Sequence, residues 1–142
     1  MRRYYEFAVV VILVSILALV LMQALGRAKG DMEEAGMQLE AAVIRTELME
    51  MLAHREAFGG ALPKTNNPVE WGVSKPRNYR GALDEVPEEK AVWYFDRRAG
   101  ELVYRYEDGR RARFRLSREA GPSNAQGVIA GVGLLRLDEK PQ

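Results

Sequence analysis

The stretch "RRYYEFAVVVILVSILALVLMQALGR", Arg2 to Arg27, decides how the rest of the chain is read. From Phe7 to Leu25 the only polar side chains are Ser15 and Gln23. A run of about 20 apolar residues spans about 30 Å of hydrocarbon at 1.5 Å per residue, so Phe7, Val10, Ile12, Ser15, Leu17, Leu21 and Leu25 lie on an expected membrane helix. It is too long for the apolar part of a secretory signal and reads as an anchor. Glu6 stands at its edge, where a carboxylate is costly: about 2.5–3.5 kcal/mol at the bilayer centre and less near the interface. Glu6 admits two readings. It snorkels into the headgroups beside Arg2 and Arg3, or it meets a cation on another subunit. Arg2 and Arg3 on one side face Arg27 and Lys29 on the other, so charge alone leaves the orientation open.

Composition bounds the rest of the chain. With 142 residues in all, there is room for one small domain after the apolar segment. Arg2, Arg3 and Glu6 account for the formal net charge of +1, so the remainder is neutral and lacks a general attraction to nucleic acid. There are no cysteines, hence no disulfide and no thiolate chemistry.

"GRAKGDMEEAGMQLEAAVIRTELMEMLAHREAFGG", Gly26 to Gly60, continues the helix with an amphipathic texture. Leu39, Val43, Leu48, Met51 and Leu52 recur mostly at three- and four-residue intervals among Glu40, Arg45, Glu47, Glu50 and Arg55. Gly59-Gly60 is the stop signal, and Gly26, Gly30 and Gly36 are the weak points inside. One helix from about Tyr5 to Ala57 is expected. "ALPKTNNPVEWGVSKPRNYRGALDEVPEEK" (61–90) reads as a long ordered loop anchored by Trp71 and Tyr79. Strands are expected near 91–97, 101–107, 110–116 and 128–137, with Asp108-Gly109 as a hairpin turn. The strongest signal is "RARFRLS", where Ala112, Phe114 and Leu116 alternate with Arg111, Arg113 and Arg115. The expected core holds Leu48, Leu52, Trp93, Phe95, Leu102, Tyr104, Phe114 and Leu134. The fold class is α+β: a long N-terminal helix, half transmembrane and half amphipathic, on a roughly four-stranded antiparallel sheet. Its parts are 1–26 (membrane helix) and 27–142, the latter comprising helix 27–57, loop 58–90 and sheet 91–138.

No catalytic, cofactor or metal constellation stands out. His54, the single histidine, has no paired nucleophile. Gly127 to Gly133 lacks the Lys of a phosphate loop. The acidic group Asp84, Glu85, Glu88 and Glu89 has no calcium-loop spacing and reads as solvated charge. Arg110, Arg111, Arg113, Arg115 and Arg118 read as a wet strand face rather than a phosphate site.

The order of elements and the segment Glu6 to Leu17 resemble type IV pilins and type II secretion pseudopilins. In those proteins an acidic residue opens a Val/Ile/Leu helix, with a small residue where Ser15 sits. "NPVEW", "PRNYRG" and "WYFDRRAGELVY" are similar to blocks found in pseudopilin-like proteins. The resemblance implies a non-enzymatic filament subunit without cofactors, anchored in the inner membrane by one pass, with a periplasmic C-terminal domain. Its implied partners are other pilin or pseudopilin subunits, the inner-membrane assembly platform and membrane lipid; the neutral charge balance adds the expectation of no nucleic acid. The resemblance also implies that Glu6 docks on a neighbour's cation, here the amine of Met1 or the guanidinium of Arg2 or Arg3. Some pseudopilins bind calcium in a loop corresponding to the acidic segment. Met1 stands where the family has the Gly before the cleavage site, Arg2 where it prefers Phe, and Gln23 where it has Pro. The expectation carried forward is the family's assembly geometry, and these departures leave open whether the N-terminus is cleaved or methylated. The alternative is an unprocessed single-pass protein whose periplasmic domain binds a secretion or cell-envelope partner.

Overall fold

The computed structural model describes residues 1–118, 128–129 and 132–137. One helix, α1 (Arg2–Phe58), runs through Gly26, Gly30 and Gly36 without interruption. Each of these glycines costs about 1 kcal/mol relative to alanine, but no proline removes a backbone donor before Pro63. Added Cβ atoms at all three would meet nothing within 4 Å, so packing inside the chain does not require glycine there. The end is a left-handed cap: Gly59 has φ 79° and its N–H donates to the Arg55 carbonyl at 2.7 Å. The chain divides into two compact units, Met1–Gly36 and Met37–Gln142.

In the second unit, α1 presents Met37, Ala41, Ile44, Leu48 and Leu52 to the sheet, all buried. Steps of four, three, four and four residues keep them on one stripe. This corrects part of the expected helix face. Leu39 and Val43 are 67% and 45% exposed, and Met51 is only half buried. The small Ala41 belongs to the buried stripe. Leu39 and Val43 follow Met37 and Ala41 by two residues, about 200° round a helix of 3.6 residues per turn.

The sheet contains β1 (Tyr79–Leu83), β2 (Val92–Asp96), β3 (Glu101–Arg105), β4 (Arg111–Ser117), the two-residue β5 (Val128–Ile129) and β6 (Val132–Arg136). Its order is β1-β2-β3-β4-β6-β5. The fold is α+β as expected, but the sheet is mixed rather than antiparallel, because β1 pairs in parallel with β2. β1 also corrects the expectation of loop through 58–90. The same segment holds a short 3-10 helix, Pro68–Trp71, capped by the buried Asn67 side chain. The expected strand 128–137 is represented by β5 and β6; residues 130, 131 and 138–142 lie outside the described residues, as do Glu119 and Gly127.

All eight expected core residues are buried, and Trp93 has no exposure at all. Trp93 lies 5.2 Å from Tyr104 and 5.7 Å from Phe114 between ring centroids, and its indole N–H donates to the Glu40 carboxylate on α1. Glu40 thus ties helix to sheet instead of facing water. Trp71 is buried and its indole N–H donates to the Thr65 carbonyl at 2.9 Å. Arg118 holds the same loop, donating to the Pro63 and Thr65 carbonyls at 2.6 Å each, with its guanidinium 5.4 Å from the Trp71 ring. Tyr79, the other anchor, accepts from the Asn67 amide at 3.1 Å, and burial raises its hydroxyl pKa.

The hairpin between β3 and β4 turns at Asp108-Gly109, with Gly109 at φ 90°. The Asp108 carboxylate accepts from the Arg110 backbone N–H at 2.9 Å and from its guanidinium at 2.6 Å, which holds its pKa below the usual aspartate value. A depressed carboxylate stabilises the fold above the unfolded-state pKa, and that contribution disappears as pH falls through the folded-state value. The thermal midpoint should therefore drop on acidification, and Asp108→Ala should drop less over that interval. Parallel curves for the two proteins would show that the Arg110 contacts carry no stability.

Candidate functional site

The candidate site is the N-terminal part of α1. Its apolar side chains Phe7, Val10, Ile12, Leu17, Leu21 and Leu25 are exposed. α1 is the one described helix long and apolar enough to cross a membrane, judged by length and composition. Exposed apolar surface on this scale needs lipid or protein around it. Ser15 fits an apolar setting because its hydroxyl donates to the Val11 carbonyl at 2.7 Å, one turn back.

Glu6 is the carboxylate of this segment. It pairs with Arg2, four residues earlier, with Nε 3.5 Å from Oε1. The side chains are 95% and 64% exposed, respectively. An exposed pair of this kind contributes about 0–1 kcal/mol. The order Arg before Glu is also the weaker orientation on a helix, and cations in a first turn oppose the helix dipole. Glu6 is thus loosely held by its own chain, and Arg3 adds a second basic side chain close by. Tyr4 and Tyr5 are exposed beside it, the residue type that favours a membrane–water interface.

Several of the other charged groups singled out in the sequence have structural partners. Asp84 pairs with Arg97 at 3.4 Å and Glu89 with Arg80, so two of the four acidic loop residues fasten the segment between β1 and β2. No group of three His, Cys, Asp or Glu residues is placed to hold a metal among the described residues. His54 is exposed and packs on Phe58 at 4.7 Å. Glu101 was missed by sequence reading: its side chain is only 4% exposed and pairs with Arg115 at 2.7 Å and Arg113 at 3.8 Å. Its position at the first residue of β3, opposite the arginine face of β4, was the available signal.

Comparison with family models, curated proteins and solved structures finds no match. The functional reading rests on the residues themselves.

Proposed function

We propose that this protein is a non-enzymatic, pilin-like or pseudopilin-like subunit that assembles through α1. The observation that carries the reading is the division of labour along this helix. Residues from Met37 to Leu52 bury one stripe against the sheet, whereas the whole apolar run from Phe7 to Leu25 is exposed behind a carboxylate at its head. Leu39 and Val43 add exposed apolar surface on the helix side away from the sheet. Leu25, Met32 and Leu39 are spaced by seven residues in the sequence, and a seven-residue apolar repeat is the spacing by which helices pack together. The inner membrane holds the Phe7–Leu25 segment before assembly, the C-terminal domain lies in the periplasm, and the partners are other subunits and the assembly platform of a type IV pilus or type II secretion pseudopilus.

The Arg2–Glu6 ion pair favours a second reading, an unprocessed single-pass protein whose periplasmic domain binds a secretion or cell-envelope partner. There, Glu6 is neutralised within its own helix and needs no neighbour. Mass spectrometry of the N-terminus from native membranes separates the two. A trimmed or methylated terminus is the expected product of entry into a filament pathway. An intact, unmodified Met1, together with the absence of crosslinks between α1 helices of different copies, would overturn the filament reading.

A further inference from the structure

We infer that two copies of this chain exchange halves through the segment 84–91, so that the buried stripe of α1 and β1 of one copy complete the sheet from β2 onward of the other. The exchange goes beyond assembly through α1, since it joins copies by the folded domain and needs no contact between their α1 helices.

β1 ends at Leu83 and its parallel partner β2 begins at Val92, so residues 84–91 form a strap that carries the chain back along the sheet. A parallel crossover ordinarily takes about a dozen residues or more. The backbone shows the cost at the end of the strap, where Ala91 has φ 54°. That left-handed region crowds Cβ against the backbone, and alanine has no polar side chain to offset it. Asn78, just before β1, has the same φ, and its side-chain amide donates to the Ala91 carbonyl at 3.4 Å. Both ends of the β1–strap unit therefore meet at one strained point.

Composition pushes the strap the same way. Asp84, Glu85, Glu88 and Glu89 set four carboxylates against Lys90, and a segment with such an excess of one charge extends. Pro87 disfavours a folded backbone at Val86. The strap is held back by the Asp84–Arg97 pair at 3.4 Å, by Glu89 with Arg80 and by donation from Arg105 to the Pro87 carbonyl. Both ion pairs are about half exposed, and such pairs contribute little.

Exchange keeps what the closed copy has. The stripe of α1 meets the same core, and β1 keeps its register, Tyr79 with Trp93 and Ala82 with Phe95. Only the strap changes: it extends from one domain to the other, and Ala91 returns to ordinary extended backbone. A short hinge under strain is the condition that invites such swapping. The exchange is reciprocal, so it closes a two-fold pair.

Asn66, before the strap, and Ser117, after it, line one pocket and so report which halves are packed together. The chain has no cysteine, so Asn66→Cys copies and Ser117→Cys copies carry one thiol each. The two are unfolded together in urea, refolded in detergent at high protein concentration and treated with a short bifunctional thiol reagent. Mass spectrometry of the linked peptides identifies products that join position 66 of one copy to position 117 of the other. A chain carrying both substitutions, treated at high dilution, links internally and sets the full yield. The expected result is a mixed product that falls about tenfold when a flexible Gly/Ser insert between Glu88 and Glu89 brings the strap beyond about a dozen residues. Ala91→Gly should lower it by about the same factor and raise the melting midpoint of the closed copy, because glycine accepts the left-handed backbone. Absence of the mixed product would overturn the exchange. A mixed product that neither the insert nor Ala91→Gly reduces would also overturn it, because the copies would then touch only at their surfaces. A lower melting midpoint with Ala91→Gly would show that no strain is held at Ala91 and remove the ground for exchange.

Discussion

Phe114→Ala should lower the unfolding free energy by about 3–5 kcal/mol, the loss expected when a fully packed aromatic is truncated. Phe114 is 2% exposed at the centre of β4, next to Trp93 and under the Arg45 guanidinium at 5.8 Å. It pairs with Leu102 on β3 and Arg136 on β6, so a cavity there opens against three strands and α1 at once. A domain of this size has about 5–15 kcal/mol of stability in total, and the loss removes a large part of it. The chain has two tryptophans, Trp71 and Trp93, both buried in the domain that unfolds. Their fluorescence during urea titration of the detergent-solubilised protein reads the change. A loss under about 1 kcal/mol would mean that Phe114 does not fill the core as described.

β4 was legible because its two faces differ in chemistry at every step: Arg111, Arg113 and Arg115 against Ala112, Phe114 and Leu116. The turn at Asp108-Gly109 was legible because only a few residues tolerate its backbone. β1 was not. Its register with β2 shifts between Tyr79 and Ala82, Gly81 sits at φ 91°, and its burial does not alternate. A parallel partner supplied by residues 92–96 is a non-local fact that no local period encodes. The helix face was misread for a related reason. Size-weighted reading favours Leu39 and Val43, yet the sheet covers the side bearing the small Ala41. α1 carries apolar residues on two sides, and only the shape of the sheet chooses between them. Glu40 hydrogen-bonding to Trp93 was likewise invisible, since nothing in either segment announces the other.

The site differs from the core in this respect. The long apolar helix with Arg2, Arg3 and Glu6 at its start was legible, because its signal is composition at one end of one helix; an assembly role for these residues belongs to the proposal above. The geometry adds that Arg2 lies within 3.5 Å of Glu6 in the same chain. This makes the partner of Glu6, rather than its position, the question for experiment. An exposed i,i+4 pair contributes too little to hold the carboxylate against a better-placed cation. In a water-poor helix bundle, the same carboxylate gains several times more from a neighbour's amine or guanidinium, since the attraction rises as the effective dielectric falls.

If the protein assembles as proposed, Glu6→Val should abolish incorporation into filaments or complexes while leaving the apolar helix and the folded domain unchanged. The apolar contacts of Phe7 to Leu25 survive the substitution, so what disappears is the charge that sets helix register, not the affinity of helix for helix. Glu6→Asp should retain part of the function, because the charge stays and only one methylene of reach is lost. Arg2→Ala distinguishes the sources of compensation. If Glu6 is satisfied mainly within its own helix, Arg2→Ala leaves the carboxylate unpaired and should weaken insertion, whereas Glu6→Val should not; if it docks on a neighbour, the Met1 amine and Arg3 remain and the defect of Arg2→Ala should be milder than that of Glu6→Val. If Glu6 only snorkels, Glu6→Val should be silent or should slightly favour insertion, as removal of a charge from the membrane edge does. Cysteines introduced at lipid-facing positions of α1 on neighbouring copies read the outcome directly by crosslinking in membranes. Equal yields with and without Glu6→Val would rule out a docking role for the carboxylate and leave the apolar run as a simple anchor.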